Sequence, residues 1–380
     1  MTRTVLLGDI AQINPESIGN TYKYNDIQYL DTSSVTENSF SELQHFLLKD
    51  APSRAKRIVR DKDIIYSTVR PTLKHFGYIS NPAKNMVAST GFAVVRAGTK
   101  IYPLYLYYWL STNERTEYLT SIVDSQTSTF PAFNPSVLSK FEIDLPELDV
   151  QKKIADILGT IDKKIELNRR MNETLEQMGQ ALFRHYFIDN READDWDEKS
   201  LDEIADFLNG VAMQKFPDDG GPTLPVIKIR EMSRGITSNT DIGSANIPEK
   251  YIVHDGDILF SWSGTLIVKP WCDGEGALNQ HLFKVTSHEH PKWFYYYWTK
   301  YHLQSFIETA AGKATTMGHI QRQHLTAAKV KVPPVSEFEK INRIIEPFLD
   351  QQITNELENR KLASLRDSLL PRLISGKVKV

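Results

Sequence analysis

The feature that most limits how these 380 residues can fold is an internal repeat. Ile10, Asp61, Asp63 and Ser67 recur as Ile204, Asp255, Asp257 and Ser261, each 194 residues on, so that RDKDIIYSTV at 60–69 is matched by HDGDILFSWS at 254–263. Tyr-Tyr-Trp at 107–109 returns at 296–298, a spacing of 189, and Leu-Pro at 145–146 returns as Val-Pro at 332–333, a spacing of 187. Several independent motifs keep one order and nearly one spacing, with the drift that loop deletions produce. The chain is a duplication, and both halves must fold alike.

Each half ends in a helical pattern. Over 151–188, Ile154, Leu158, Ile161, Ile165, Leu175 and Leu182 step by fours and threes, with Asn168, Asn172 and Gly179 in the gaps, which is a coiled-coil seam. Lys152, Lys153, Lys163, Lys164, Arg169 and Arg170 lie off the seam, so this helix needs a partner along one stripe only. The second half ends with Phe338, Ile341, Ile345, Leu349, Ile353, Leu357, Leu362, Leu365 and Leu369 available for a matching stripe. Two copies of one unit bury both stripes most simply as an antiparallel pair around a pseudo-twofold axis. Asn168 and Asn172 then read either as register-setting polar positions or, more simply, as two tolerated imperfections. Pro347 falls inside the second pattern, where a proline costs about 3 kcal/mol, and predicts a kink or break.

The rest is an α+β expectation: two pseudo-symmetric α/β domains separated by an antiparallel pair of long coiled-coil helices. The boundaries predicted are 1–148 for the first domain, 149–189 for the first helix, 190–334 for the second domain and 335–380 for the second helix. Strands are expected at 64–72, ending in a turn at Pro71, and at 91–96 and 141–146, with one helix over 103–122. Glu192 to Asp206 is acid-rich and reads as a solvated connector. At 41% hydrophobic and 24% charged the chain has material for two cores. Cys272 is the single cysteine, which excludes an internal disulfide. The N-terminus lacks the apolar core of a signal peptide and no apolar run approaches the ~20 residues of a bilayer span, so a cytoplasmic protein is expected.

Catalytic patterns are missing. Gly312-Lys313 is followed by Ala314, with Ile307 where a P-loop places its first glycine. Asn14, Asn81 and Asn134 each precede proline without the further Pro and aromatic of an adenine methyltransferase pocket. Asp197-Glu198-Lys199 superficially matches a nuclease triplet but falls in the acidic connector, with no strand expected to hold it. Seven of the ten histidines lie between 254 and 324, including His288 and His290, at spacings that favour packing or surface roles over metal binding. No metal site is expected.

The order of domain, PELDVQKKIADILGTIDKKIELNRRMNETLEQMGQALFRHYF, domain and PPVSEFEKINRIIEPFLDQQITNELENRKLASLRDSLLPRLISGK closely resembles the specificity subunit of Type I restriction-modification systems, as do DGDILFSWSGTL and ALNQHLFKV. The resemblance covers essentially the whole chain. It implies a non-catalytic subunit that reads double-stranded DNA, each domain taking one half of a split target while the helices fix the gap. It implies two methylation subunits gripping the helices, for which Lys163, Lys164, Arg169 and Arg170 are candidates, and restriction subunits in the full complex. S-adenosylmethionine, ATP and Mg would be held by those partners and no cofactor by this chain. Because the two domains have diverged, the target should be asymmetric. A helix of about 35 residues spans on the order of 50 Å, against about 34–36 Å for one turn of duplex. The rival reading is a structural adaptor whose duplicated domains bind other proteins.

DNA affinity comes largely from phosphate contacts. Residues 51–115, which include Arg54 and Arg57, hold eleven Lys/Arg against three acids, and residues 251–331 hold eight against six. For base reading, two loops qualify in the first domain: Ser67, Thr68, Arg70 and Lys74 in one, and Thr127, Ser128, Thr129 and Asn134 in the other. Their equivalents in the second are Ser261, Trp262 and Ser263, and Lys313, Thr315, Thr316, His319 and Gln321. Trp262 is read equally well as a core aromatic, and Tyr-Tyr-Trp in both copies as core packing. His281 is a further possible donor to DNA.

Overall fold

The structure is a computed structural model that describes residues 3–19, 22–125, 132–217, 220–311 and 318–380. It divides into two compact units, Met1–Lys163 with Ser364–Val380 and Lys164–Ala363. These boundaries differ from the four-part division expected above, because the packing of each unit takes in segments of both long helices.

In the first unit a four-stranded sheet runs in the order Ala11–Ile13, Phe92–Ala97, Ile64–Ser67, Phe76–Tyr78, all antiparallel. A second runs Gln44–Leu47, Asp26–Leu30, Met86–Ser89, Ala55–Ile58, with the central pair parallel. The second unit repeats both. Asp206–Asn209, Leu282–Thr286, Ile258–Ser261 and Val268–Pro270 match the first sheet, and Ile242–Ser244, Thr223–Ile227, Gly276–Leu278 and Ile252–Val253 match the other, again with a parallel central pair. The sequence repeat is thus a repeat of topology.

The repeated aspartates explain why this sheet recurs. Asp63 is fully buried, accepts from the Arg60 N–H at 2.7 Å and takes Arg96 Nε at 2.8 Å and Nη2 at 2.7 Å. Its equivalent Asp257 accepts from the His254 N–H at 2.9 Å and pairs with Lys284 at 2.9 Å. In both copies one carboxylate ties a tight turn to the basic residue of the neighbouring strand. A buried charge is tolerated only when paired and hydrogen-bonded in this way. The bonds from Asp63, followed by those from Glu16, hold the Arg96 guanidinium well above its usual range.

The strand expected over 64–72 stops at Ser67, those expected over 91–96 and 141–146 form as Phe92–Ala97 and Glu142–Leu145, and other expectations need correction. The segment 103–122 is two helices, Pro103–Leu110 and Asn113–Asp124. Thr112 sits between them in extended backbone with its hydroxyl bonded to the Trp109 carbonyl at 3.1 Å, a local bond that competes with helix. The second copy lacks this Ser-Thr-Asn interruption and forms one helix, Lys292–Ala311. The acidic connector also contains a strand: Asp197–Ser200 pairs antiparallel with Lys329–Val332, as Arg3–Leu6 pairs with Glu142–Leu145. Alternation and charge explain it, since Glu198 faces Lys331 in the register and Lys331 Nζ reaches Asp194 at 2.5 Å. Asp197-Glu198-Lys199 is therefore the opening strand of the second copy.

The first long helix is Leu148–Phe183, continued by a π-helical turn, Arg184–Ile188. The second is Val335–Ile374, which runs through Pro347 without the break expected. Ile341, Ile345 and Leu349 flank the proline on one face and are at most 1% exposed. Burying each contributes about 1.5–3 kcal/mol, together more than the lost backbone bond. Within the first unit Ile154 and Leu158 pack with Leu373 among Tyr105, Leu106 and Tyr107. Within the second, Phe183 packs with Ile341, Ile345 and Leu349 among Trp293, Phe294 and Trp298. Tyr107 to Trp109 and Tyr296 to Trp298 are buried core residues, as expected.

The middle of the seam departs from an apolar stripe. Gln352, Asn355 and Asn359 are buried, whereas Leu365 is 47% exposed. Gly179 is required where it stands, since a Cβ there would lie 1.9 Å from Tyr297 Oη.

Candidate nucleic-acid interface

The two candidate loops of each copy meet. In the first unit the strand Ile64–Ser67 leads through Thr68 and Val69 into a 3-10 turn, Pro71–Leu73, and Val69 forms a β-bridge with Ala132 while the Phe133 N–H donates to the Thr68 carbonyl at 3.1 Å. In the second unit Ser263 bridges His319, and the Ile320 N–H donates to the Trp262 carbonyl at 3.0 Å. Thr68 and Trp262 differ by 194 residues, Phe133 and Ile320 by 187, so the same backbone device is built twice from different side chains.

The hydroxyls at this junction serve the loop itself. Ser67 donates to the Val69 carbonyl at 2.9 Å and Thr68 to the Gly91 carbonyl at 3.0 Å, and both are buried. Ser261 is fully buried and donates to the Thr265 carbonyl at 2.6 Å, and Ser263 Oγ lies 3.0 Å from His281 Nδ1. These four brace the turn, leaving, among the described residues, Arg70, Asn134, Trp262, His319 and Gln321 as candidate side chains that it presents. Trp262 is half-buried against His281 and Phe283, meets His319 edge-on, and donates Nε1 to Asn209 Oδ1 at 2.9 Å. It is neither wholly core nor free. Asn209, which ends the strand Asp206–Asn209 and precedes Gly210, was missed in the sequence because its neighbour lies 53 residues away. Asn134 is exposed, and its Oδ1 accepts from the Ser136 N–H at 3.0 Å just ahead of the short helix Ser136–Ser139. Gln321 is exposed at the start of the helix Arg322–Ala327. Thr127, Ser128, Thr129, Lys313, Thr315 and Thr316 lie outside the described residues.

Arg70 is exposed, its side chain holds no hydrogen bond or ion pair among the described residues, and its backbone has φ 46° and ψ 68°. This left-handed backbone costs a non-glycine residue about 1–2 kcal/mol. Gly264, its equivalent 194 residues on, has φ +65°. The first copy thus keeps an arginine where the turn asks for glycine.

The basic excess counted in 51–115 shrinks in three dimensions. Arg60 pairs with Glu16 at 2.8 Å, Arg96 with Asp63 and Glu16, Lys74 with Glu37 at 2.7 Å and Arg115 with Glu114. Glu16 and Glu37 come from outside the window. Arg54, Lys56, Arg57, Lys62, Arg70, Lys84 and Lys100 hold no ion pair among the described residues. Arg57 reaches Ser17 at 3.3 Å, its Nε is buried without a partner there, and burial holds its pKa below the usual value. Of the helix cations, Lys164 pairs with Glu358 at 3.0 Å and Arg170 with Glu166 at 2.7 Å, while Lys163 and Arg169 are exposed.

Among the described residues no group of three or more His, Cys, Asp or Glu is placed to hold a metal, and no helix is long and apolar enough to cross a membrane. His290 packs between Phe294 and Phe338, and burial lowers its pKa, as for a neutral core imidazole. Cys272 is buried and its thiol is pushed up to about 12.

Residues 2–177 and 193–366 each match the family described as Type I restriction modification DNA specificity domain. The chain belongs to this family. Each match takes in one sheet-bearing copy and much of its long helix. The Type I restriction enzyme HindI specificity subunit of Haemophilus influenzae is 23% identical, over 98% of both chains. The MjaIX specificity subunit of Methanocaldococcus jannaschii is 25% identical, over 98% of this chain and 88% of that one. A crystal structure of a Type-I restriction-modification system S subunit from M. genitalium is 14% identical with a TM-score of 0.56, covering 98% of this chain and 96% of that one, and shares the fold.

Proposed function

We propose that this chain is the DNA-reading subunit of a Type I restriction-modification complex. Each copy reads one half of a split, asymmetric duplex target through its paired loops. The observation that carries this is the junction itself: one backbone arrangement built twice, with Arg70 in the first copy and Trp262 and His319 in the second. Identical geometry with different side chains is what two related readers of different bases require. Arg70 would supply a donor pair for guanine or a phosphate, and Arg54 and Arg57 would neutralise backbone. The two long helices set the gap between half-sites and dock two methylation subunits. The chain carries out no chemistry: methyl transfer from S-adenosylmethionine and ATP- and Mg-dependent cleavage belong to the methylation and restriction subunits, and the complex works on cytoplasmic DNA.

The deciding experiment maps methylated positions genome-wide in cells with and without this gene. A two-part motif with a constant gap should vanish on deletion. In vitro, log affinity of the assembled complex for its duplex should fall steeply with log salt; a flat response would favour the protein-binding adaptor instead.

A further inference from the structure

Four buried or half-buried asparagines lie at the centre of the helix pair in the second unit. Asn168 Nδ2 donates to Asn359 Oδ1 at 2.9 Å, and Asn355 Nδ2 donates to Asn172 Oδ1 at 2.8 Å. Asn168 and Asn355 are 187 positions apart in the chain, as are Asn172 and Asn359. That is the repeat spacing already seen at Leu145-Pro146 and Val332-Pro333. The repeat operation therefore carries each amide pair onto the other, and the pseudo-twofold axis of the helix pair passes between them. The symmetry is imperfect in its outer bonds. Asn172 Nδ2 also reaches the Gln352 carbonyl at 3.2 Å and Glu356 at 3.0 Å, whereas Asn359 Nδ2 has no partner among the described residues.

Each pair joins positions whose numbers sum to 527, the signature of one antiparallel register. If the helices slid by three residues, Asn168 would face Leu362 and Asn355 would face Leu175, or in the opposite sense Asn359 would face Ile165. A four-residue slip re-forms only one pair, Asn172 with Asn359 or Asn168 with Asn355, and leaves the other two amides opposite Ala363 and Glu176 or Gln351 and Lys164. A buried polar group left unpaired penalises the wrong register more than it rewards the right one. A continuous apolar seam has no such preference, because an aliphatic stripe packs nearly as well one turn along.

We propose that Asn168, Asn172, Asn355 and Asn359 form a register lock that holds the two long helices at one axial offset, and so are positioning residues for the gap between half-sites. The link to the gap rests on the function proposed above; the lock itself does not. One turn of slip, four residues, displaces one helix by about 6 Å against the other, close to two base pairs at 3.4 Å each.

Double variants with the same two Asn→Leu changes separate register from stability. N168L/N359L removes one pair and leaves Asn172 opposite Asn355, so the native register stays. N168L/N355L leaves Asn172 and Asn359, which meet only after a four-residue slip. N172L/N359L leaves Asn168 and Asn355, which meet only after the opposite slip. Spin labels on cysteines introduced at the exposed positions Glu173 and Lys361 report the offset by pulsed electron resonance in the full chain, Cys272 being buried. The expected result is the native distance for N168L/N359L and displaced distances for the two diagonal variants, reflecting axial slips of about 6 Å in opposite senses. Loss of a defined distance in the diagonal variants alone also supports the lock, because the variants differ only in which partners remain. An unchanged distance in all three overturns it. Methylation mapping with the same variants tests the link separately: displaced labels with an unchanged gap would leave the lock standing and refute the helices as the ruler.

Discussion

Replacing Arg70 by glycine should move stability and DNA reading in opposite directions. The backbone at Arg70 is left-handed, and its counterpart Gly264 shows that the turn accepts glycine. Glycine removes about 1–2 kcal/mol of steric strain and adds about 0.5–1 kcal/mol of chain entropy to the unfolded state. The Arg70 side chain is exposed and unbonded among the described residues, so no packing is lost. The net gain is about 0.5–1 kcal/mol, or about 1–3 °C in the melting of the first unit. Recognition should suffer: a bidentate arginine–guanine contact is worth about 1–3 kcal/mol of discrimination, roughly 5- to 150-fold. Calorimetry of the isolated chain and titration of the assembled complex with duplexes altered in one half-site at a time read both effects. Lower stability, or equal loss of discrimination at both half-sites, would refute the reasoning. A uniform loss with a salt slope reduced by about one would instead make Arg70 a phosphate contact.

Gly264→Ala should destabilise the second unit by about 1 kcal/mol from backbone strain alone, since its nearest neighbour, Ile229 Cδ1, is 3.6 Å from the new Cβ; chemical denaturation measures it. Asp63→Ala should cost about 1–3 kcal/mol, because Arg96 keeps Glu16 but loses one of its two carboxylates and the Arg60 N–H loses its acceptor, with loss of the first half-site before the second in methylation maps. Arg360 grips Asp255 with two bonds of 2.8 Å; burial raises the Asp255 pKa, but these bonds and the Gly274 N–H outweigh it and lower it overall. The stability this pair supplies, about 1 kcal/mol at partial exposure, should be present at neutral pH and vanish as pH falls through the lowered pKa. Arg360→Ala and the parent should therefore converge in acid. A four-residue insertion after Ile165 alone should leave the asparagine pairs, which all lie on one side of it, and misalign Ile154 and Leu158 with Leu373, whereas one matched after Leu362, its opposite in the register, should restore that packing and widen the gap in methylation maps by about 6 Å, nearly two base pairs.

How much was legible in the sequence varied with the range of the interaction. Duplication and the long helices could be read because a repeat and a heptad-like seam are periodic along the chain, and periodicity survives without knowledge of partners. The pairing of the two loops was only half visible. Both were chosen for flexible polar residues at matching positions, but Val69 and Ala132 are 63 residues apart and nothing local announces their bridge. Residue type alone overstated the hydroxyls: Ser67, Thr68, Ser261 and Ser263 read as base contacts until their bonds showed them bracing the turns. The basic excess was overstated likewise, because Glu16 and Glu37 neutralise it from outside the window.

The long seam itself shows the division. By itself the sequence determined that there are two copies, each ending in a helix with one stripe to bury, because a hydrophobic pattern dictates secondary structure and the need for a partner. Which residues meet across that stripe was decided only by tertiary structure. Asn168 and Asn172 could be read as register-setting positions or as flaws in a seam until Asn359 and Asn355 stood opposite them. A polar group in an apolar stripe is a defect or a constraint according to what faces it, and what faces it lies half a chain away.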